Sequence, residues 1–129
     1  MHWKLFNEWC ARHSTRGQIR NANGIHAAWC HTALLINNLT TPSTPIADAA
    51  GLRRCGEAAR ADAAAFGLPW MFGIPEPWMP VGVEEANAVL QDAGMQHMMY
   101  MTVMECDSVA PPIRPLPADV EVKLSLIHI

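Results

Sequence analysis

The chain has 129 residues, half of them hydrophobic and 16% charged, with nine basic and twelve acidic residues giving a formal net charge of −3. A single domain of this size buries about 65–70% of the surface its unfolded chain exposes, so a packed core is expected and disorder is not. No apolar run approaches the ~20 residues of a bilayer span, and the scattered charges exclude the concentrated basic patch of a nucleic-acid binder.

The N-terminus, "MHWKLFNEWCARHS", interleaves apolar and polar residues. It lacks the apolar centre and small-residue cleavage site of a secretory signal, which leaves a cytoplasmic address as the expectation. Trp3, Phe6, Cys10 and His13 recur at helical spacing, predicting an amphipathic helix over residues 2–13 with that stripe turned to the core. Cys10, Cys30, Cys55 and Cys106 form no close pairs, which favours free thiols over a zinc or redox motif.

Asn23-Gly24, between Gln18–Ala22 and Ile25–Cys30, is the strongest short hairpin signal in the chain. Ala33–Asn37, a short apolar run before an Asn/Thr/Pro segment, is expected to be a further strand. From "TPSTPIADAAGLRRCGEAARADAAAFG" the longest helix is predicted. Ser43 or Thr44 is its N-cap, Pro45 lies in its first turn and Gly67 just past its end. Ile46, Ala49, Leu52, Cys55 or Gly56, Ala59, Ala63 and Phe66 form its packing stripe.

A buried strand over Trp70–Ile74 is stopped by Pro75 and Pro77, which cannot donate to a ladder. Glu84 and Glu85 open another helix that Gly94 closes. "QHMMYMTVMEC", apolar on both faces, reads as a strand central in a sheet. The predicted architecture is α/β (α+β): one mixed sheet of about five strands flanked by about three helices. The four prolines from Pro111 to Pro117 then read as an extended connector.

The run "GLPWMFGIPE" followed by "EEANAVLQDAGMQHMMYMTVM" resembles the second half of a GNAT-superfamily N-acetyltransferase, with Ala88, Leu90, Ala93, Gly94 and Met95 where that fold's second helix ends. More closely, residues 1–123 resemble the degenerate N-terminal domain of some two-domain members, in which a tether like "PPIRPLPADVEV" enters the catalytic domain. The resemblance implies a degenerate GNAT-like domain over 1–106, a Pro-rich linker over 107–119 and the start of a missing catalytic domain over 120–123. The final "LSLIHI", Leu124 to Ile129, is similar to the translation of a sequencing-library adapter. Acetyl-CoA and acyl transfer to an amine then belong to the missing domain, which would also be this chain's partner; the alternative is a stand-alone interaction module.

The chemistry-bearing residues fit that expectation. In a working site of that family a strand leads to Arg/Gln-x-x-Gly-x-Gly/Ala, whose amides at a helix N-terminus hold the pyrophosphate. "RRCGEA" matches through Arg53, Gly56 and Ala58, but its amides are expected inside the helix, already hydrogen-bonded. Glu76 follows the Trp70–Ile74 strand, where α/β sheets border ligand crevices, and is the acid best placed for a crevice. His26, Cys30, His31 and His97 lack metal-ligand spacing. Trp78 and Met79, between Pro77 and Pro80, are expected to be exposed and to dock a second domain. No residue of the chain is assigned a catalytic role.

Overall fold

The structure is a computed structural model that describes residues 2–101, and of His2 and Trp3 the backbone alone. The chain divides into Met1–Met99 and Tyr100–Ile129. Residues 102–106 with Cys106, the linker over 107–119, residues 120–123 and the adapter-like tail lie outside the described residues.

Helix α1 (His2–His13) precedes a hairpin of β1 (Gln18–Ala22) and β2 (Ile25–Trp29). The turn is as the Asn-Gly pair requires: Asn23 and Gly24 have φ of 53° and 78°, the left-handed pair that matches strand twist. A 3-10 turn, Leu35–Asn37, leads into β3 (Asn38–Pro42), which is antiparallel to β2. Helix α2 (Ala49–Ala64) crosses over to β4 (Met71–Phe72), parallel to β3 through Leu39 and Met71 and through Thr40 and Phe72. A second 3-10 turn (Glu76–Trp78) and α3 (Val83–Asp92) follow. The architecture is therefore α+β, with a four-stranded mixed sheet in the order β1-β2-β3-β4.

Strand alternation sorts the core into two layers. Ala27 and Trp29 meet Ala63, Phe66 and Trp70 on the α2 side, while Ala28 and Cys30 meet Ala11, Cys10 and Ile19 on the α1 side. Leu52, Gly56, Ala59 and Ala63 are the buried stripe of α2, as the sequence predicts. A side-chain atom on Gly56 would sit 3.0 Å from Leu90 Cδ2, so the missing Cβ lets α3 lie close.

Several boundaries differ from expectation. The third strand is the polar run Asn38–Pro42, and the apolar Leu35–Asn37 is a turn. Asn38 explains the exchange. Fully buried, its amide donates to the carbonyls of Thr32 and Pro69, each at 2.8 Å, and its Oδ1 accepts from the His31 N–H at 3.1 Å. A polar residue thus satisfies the backbone of two loops, which hydropathy cannot reveal. α2 starts at Ala49 rather than near Pro45, because the Asp48 side chain captures the Gly51 N–H. The Trp70–Ile74 strand shrinks to Met71–Phe72, since backbone pairing reaches only as far as Gly73 N–H to Thr40 O before Pro75. Residues 96–101 form no strand and Met98, Met99, Tyr100 and Met101 are exposed, so the described part of the predicted central fifth strand is not one.

The inward face of α1 differs from the predicted stripe. Cys10 of that stripe packs against the core, but Phe6 and His13 are exposed, and Asn7 and Ala11 are the buried residues. Small and polar groups let the helix approach the narrow β1–β2 ribbon, over which a Phe or Trp would stand off.

Replacing Asn38 by Ala removes the side-chain partner of three backbone groups, the His31 N–H and the Thr32 and Pro69 carbonyls, and is expected to cost about 2 kcal/mol, read as a lowered urea midpoint. Gly17→Ala places a Cβ 1.6 Å from the Ala11 carbonyl oxygen. Because that neighbour is backbone, a loss of about 3 kcal/mol in the same measurement is expected.

Candidate functional site

Helix N-termini at the end of a sheet strand are natural anion sites, because unpaired amides converge there. The corner from β3 to α2 is this chain's example. Asp48 caps it, its Oδ1 accepting the Gly51 N–H at 2.6 Å while its backbone carbonyl accepts from Leu52 at 3.0 Å. The capping group is thus a carboxylate of the chain itself, which repels a phosphate and already holds one of the amides. Pro45 in the approach brings no N–H.

A shallow hollow of about 270 Å³ adjoins this corner, between the Asn23-Gly24 turn and Thr44, Pro45, Arg54 and Cys55. Burial pushes the Cys55 thiol above its usual pKa, against the pull of the Arg54 charge. The thiol is therefore protonated at neutral pH, a poor nucleophile.

None of the motif residues lies at the helix mouth. Arg53 reaches across to Asp92 of α3 at 3.0 Å. Gly56 packs under Leu90 and Met95, and Ala58 is half-buried within α2. "RRCGEA" is therefore part of the α2–α3 contact, with its amides inside the helix.

A larger cleft of about 380 Å³ opens beside β4, with Trp70, Phe72, Leu90 and Met95 in its wall and Arg60 and His97 among its polar groups. Arg60 is committed to the Ala93 carbonyl at the end of α3. Glu76 is exposed in the 3-10 turn and does not line this cleft. Trp78 and Met79 are half-buried, with the Trp78 carbonyl accepting from Ile46 N–H at 3.2 Å. They are thus less exposed than expected; among the described residues the exposed large apolar side chains are Leu5, Phe6, Trp9, Leu34, Ile36 and Met98 to Met101.

Sequence reasoning missed a polar cluster beneath α1. His26, buried at the centre of the sheet's α1 face, places Nδ1 2.7 Å from Asn21 Oδ1 and Nε2 3.2 Å from Glu8 Oε1. The Glu8 contact is a close charge approach off the line of a hydrogen bond. Burial holds the imidazole below its usual pKa, Lys4 adds to that, and Glu8 opposes both. A signal was present: Lys4, Asn7, Glu8 and Ala11 recur at helical spacing as regularly as the aromatic set does. The aromatic set drew the prediction because hydropathy alone ranks faces.

The remaining candidate ligands do not converge. His31, at φ 56°, stands edge-on to Phe66 with ring centroids 4.9 Å apart, on the opposite side of the sheet from Cys30. Among the described residues no three His, Cys, Asp or Glu side chains come together as a metal site. Cys10, Cys30 and Cys55 are free thiols, and burial raises the pKa of each.

Because the folded state holds His26 below its ordinary value of 6.5, the unfolded chain takes up its proton first as pH falls. The His26 contribution to stability is thus complete above about pH 6.5 and declines below it, toward the lowered folded pKa. Urea midpoints measured between pH 7.5 and 5 are expected to fall less steeply for His26→Gln than for the parent, about those pH values.

No protein-family model matches the chain, and no curated protein or solved structure matches it. Among the described residues, no helix is long and apolar enough to cross a membrane.

Proposed function

We propose that this chain is a degenerate GNAT-like domain that accompanies a catalytic N-acetyltransferase domain and binds no acetyl-CoA itself. The observation that carries the reading is the order of elements in the stretch that bears the resemblance. A long helix, α2, is followed by a left-handed glycine (Gly67, φ 61°), then β4, then α3 and a second left-handed glycine (Gly94, φ 77°). The Asp48 cap supports the non-catalytic half of the reading, because the helix end that would receive a pyrophosphate carries a carboxylate instead.

In the accompanying domain, the amine of the acceptor attacks the acetyl-CoA thioester carbonyl, and CoA departs as the thiol. This chain contributes shape and contacts to that reaction and no reacting group.

A stand-alone interaction module is the second reading, and the exposed aromatic residues of α1 favour it. The two readings differ in what else the gene encodes. Sequencing the source DNA past codon 123 is expected to reveal an Arg/Gln-x-x-Gly-x-Gly/Ala motif within roughly one domain length, about 100–150 residues; an immediate stop codon would leave the interaction module. Acetyl-CoA titrated calorimetrically into the purified chain is expected to give no saturable heat. A Kd tighter than about 100 μM, near −5.5 kcal/mol, would contradict the degenerate reading.

A further inference from the structure

The structure assigns α1 as a peripheral membrane-docking helix: its outward face, Leu5, Phe6 and Trp9 flanked by Arg12 and Arg16, fits an anionic lipid surface. This inference does not depend on the acetyltransferase reading.

Two observations carry it. The first is that α1 packs with its polar side inward. Asn7 is buried and the Glu8 carboxylate is turned to His26, while Leu5, Phe6 and Trp9 are 42%, 43% and 38% exposed. Beside them the 3-10 turn Leu35–Asn37 contacts α1, and Leu34 and Ile36 are exposed as well. A helix that turns its aromatic residues outward leaves the largest apolar side chains in water, a cost that a partner surface removes.

The second is charge. The first twenty residues carry Lys4, Arg12, Arg16 and Arg20 against Glu8 alone, while the rest of the chain has five basic and eleven acidic residues. Arg20 is committed to Asp62 on the other side of the sheet. Arg12 keeps only a loose 3.7 Å approach to Glu8, with its side chain 66% exposed; Arg16 is exposed and Lys4 half-buried. The sole acid of α1 is turned inward, so the outward face presents Arg12 beside its apolar centre, with Arg16 exposed just past the end of the helix.

This combination selects among occupants. A second copy would set Arg12 and Arg16 against the same cations, a like-charge contact that disfavours self-association. Neither of the two hollows described above is lined by α1 residues. A bilayer needs no groove: Trp, Phe and Leu enter the headgroup boundary while Arg engages anionic lipid. At twelve residues, α1 lies in the interface rather than crossing it.

The test is co-sedimentation of the full chain with vesicles of phosphatidylcholine alone or of equimolar phosphatidylcholine and phosphatidylglycerol, at low and physiological salt. Binding to the anionic vesicles is expected to exceed binding to the neutral ones by about tenfold or more, and to weaken with salt. Arg12→Gln and Arg16→Gln should each reduce it about fivefold, the equivalent of about 1 kcal/mol per cation. Phe6→Ser combined with Trp9→Ser should abolish it, with the far-UV circular dichroism spectrum unchanged because both side chains are exposed. Absence of binding, equal binding to both vesicles, or arginine variants that bind like the parent would overturn the proposal. So would a stable dimer dissolved by Trp9→Ser, which would assign the face to a second copy.

Discussion

Asp62 ties the two halves of the α2 layer together. Its Oδ2 accepts the indole N–H of fully buried Trp29 at 3.0 Å, and its Oδ1 pairs with Arg20 at 2.9 Å. One carboxylate on α2 is thereby joined to adjacent strands of the hairpin. Phe66, a turn beyond, lies against Trp29 with ring centroids 4.4 Å apart, and the Arg20 guanidinium stands 5.9 Å from the Phe66 centroid. A hydrogen bond to a charged group contributes about 1.5–3 kcal/mol, but its larger effect here is positional. With the Trp29 N–H held by Asp62, the height and rotation of α2 over the sheet are constrained. The approach of Gly56 to Leu90 of α3 follows from that rotation.

The opposite face follows different rules. The α1 side of the ribbon is small and polar, with His26 and Ala28 on β2, Cys30 just past its end and Asn21 on β1. A helix can lie on such a surface only by presenting small or hydrogen-bonding groups, and Asn7, Glu8 and Ala11 are those groups. Phe6 and Trp9 are left outside as a geometric consequence. The same orientation turns Glu8 toward His26 and leaves Arg12 facing solvent.

Acidic capping at Asp48 illustrates how one side chain can serve stability at the expense of ligand binding. An aspartate cap satisfies an orphan amide and complements the helix dipole, and it does so by filling the place an external anion would take. The apolar cleft beside β4 has no such internal occupant, but its principal cation, Arg60, is used to close the end of α3.

Much of the fold was legible along the chain. Asn23-Gly24 specified the hairpin through left-handed backbone angles that few other residue pairs tolerate, and Gly67 and Gly94 specified helix ends for the same reason. The stripe from Leu52 to Ala63 specified the buried face of α2 because small residues at helical spacing leave little choice of face. Candidate chemistry was legible only in part: the interior position of Arg53, Gly56 and Ala58 was expected from a helix start near Pro45 and still holds with the start at Ala49, whereas the Glu8–His26–Asn21 cluster draws on three elements, and helical spacing marks only its α1 side. Tertiary structure alone decided which face of α1 turns inward, that the polar Asn38–Pro42 run pairs while Leu35–Asn37 turns, and that residues 96–101 join no sheet. Each of these depends on what lies opposite a residue in space, whether a small polar ribbon, two loop carbonyls or a strand too short to pair further. Sequence periodicity measures the spacing of residues along one element and carries no information about that opposing surface.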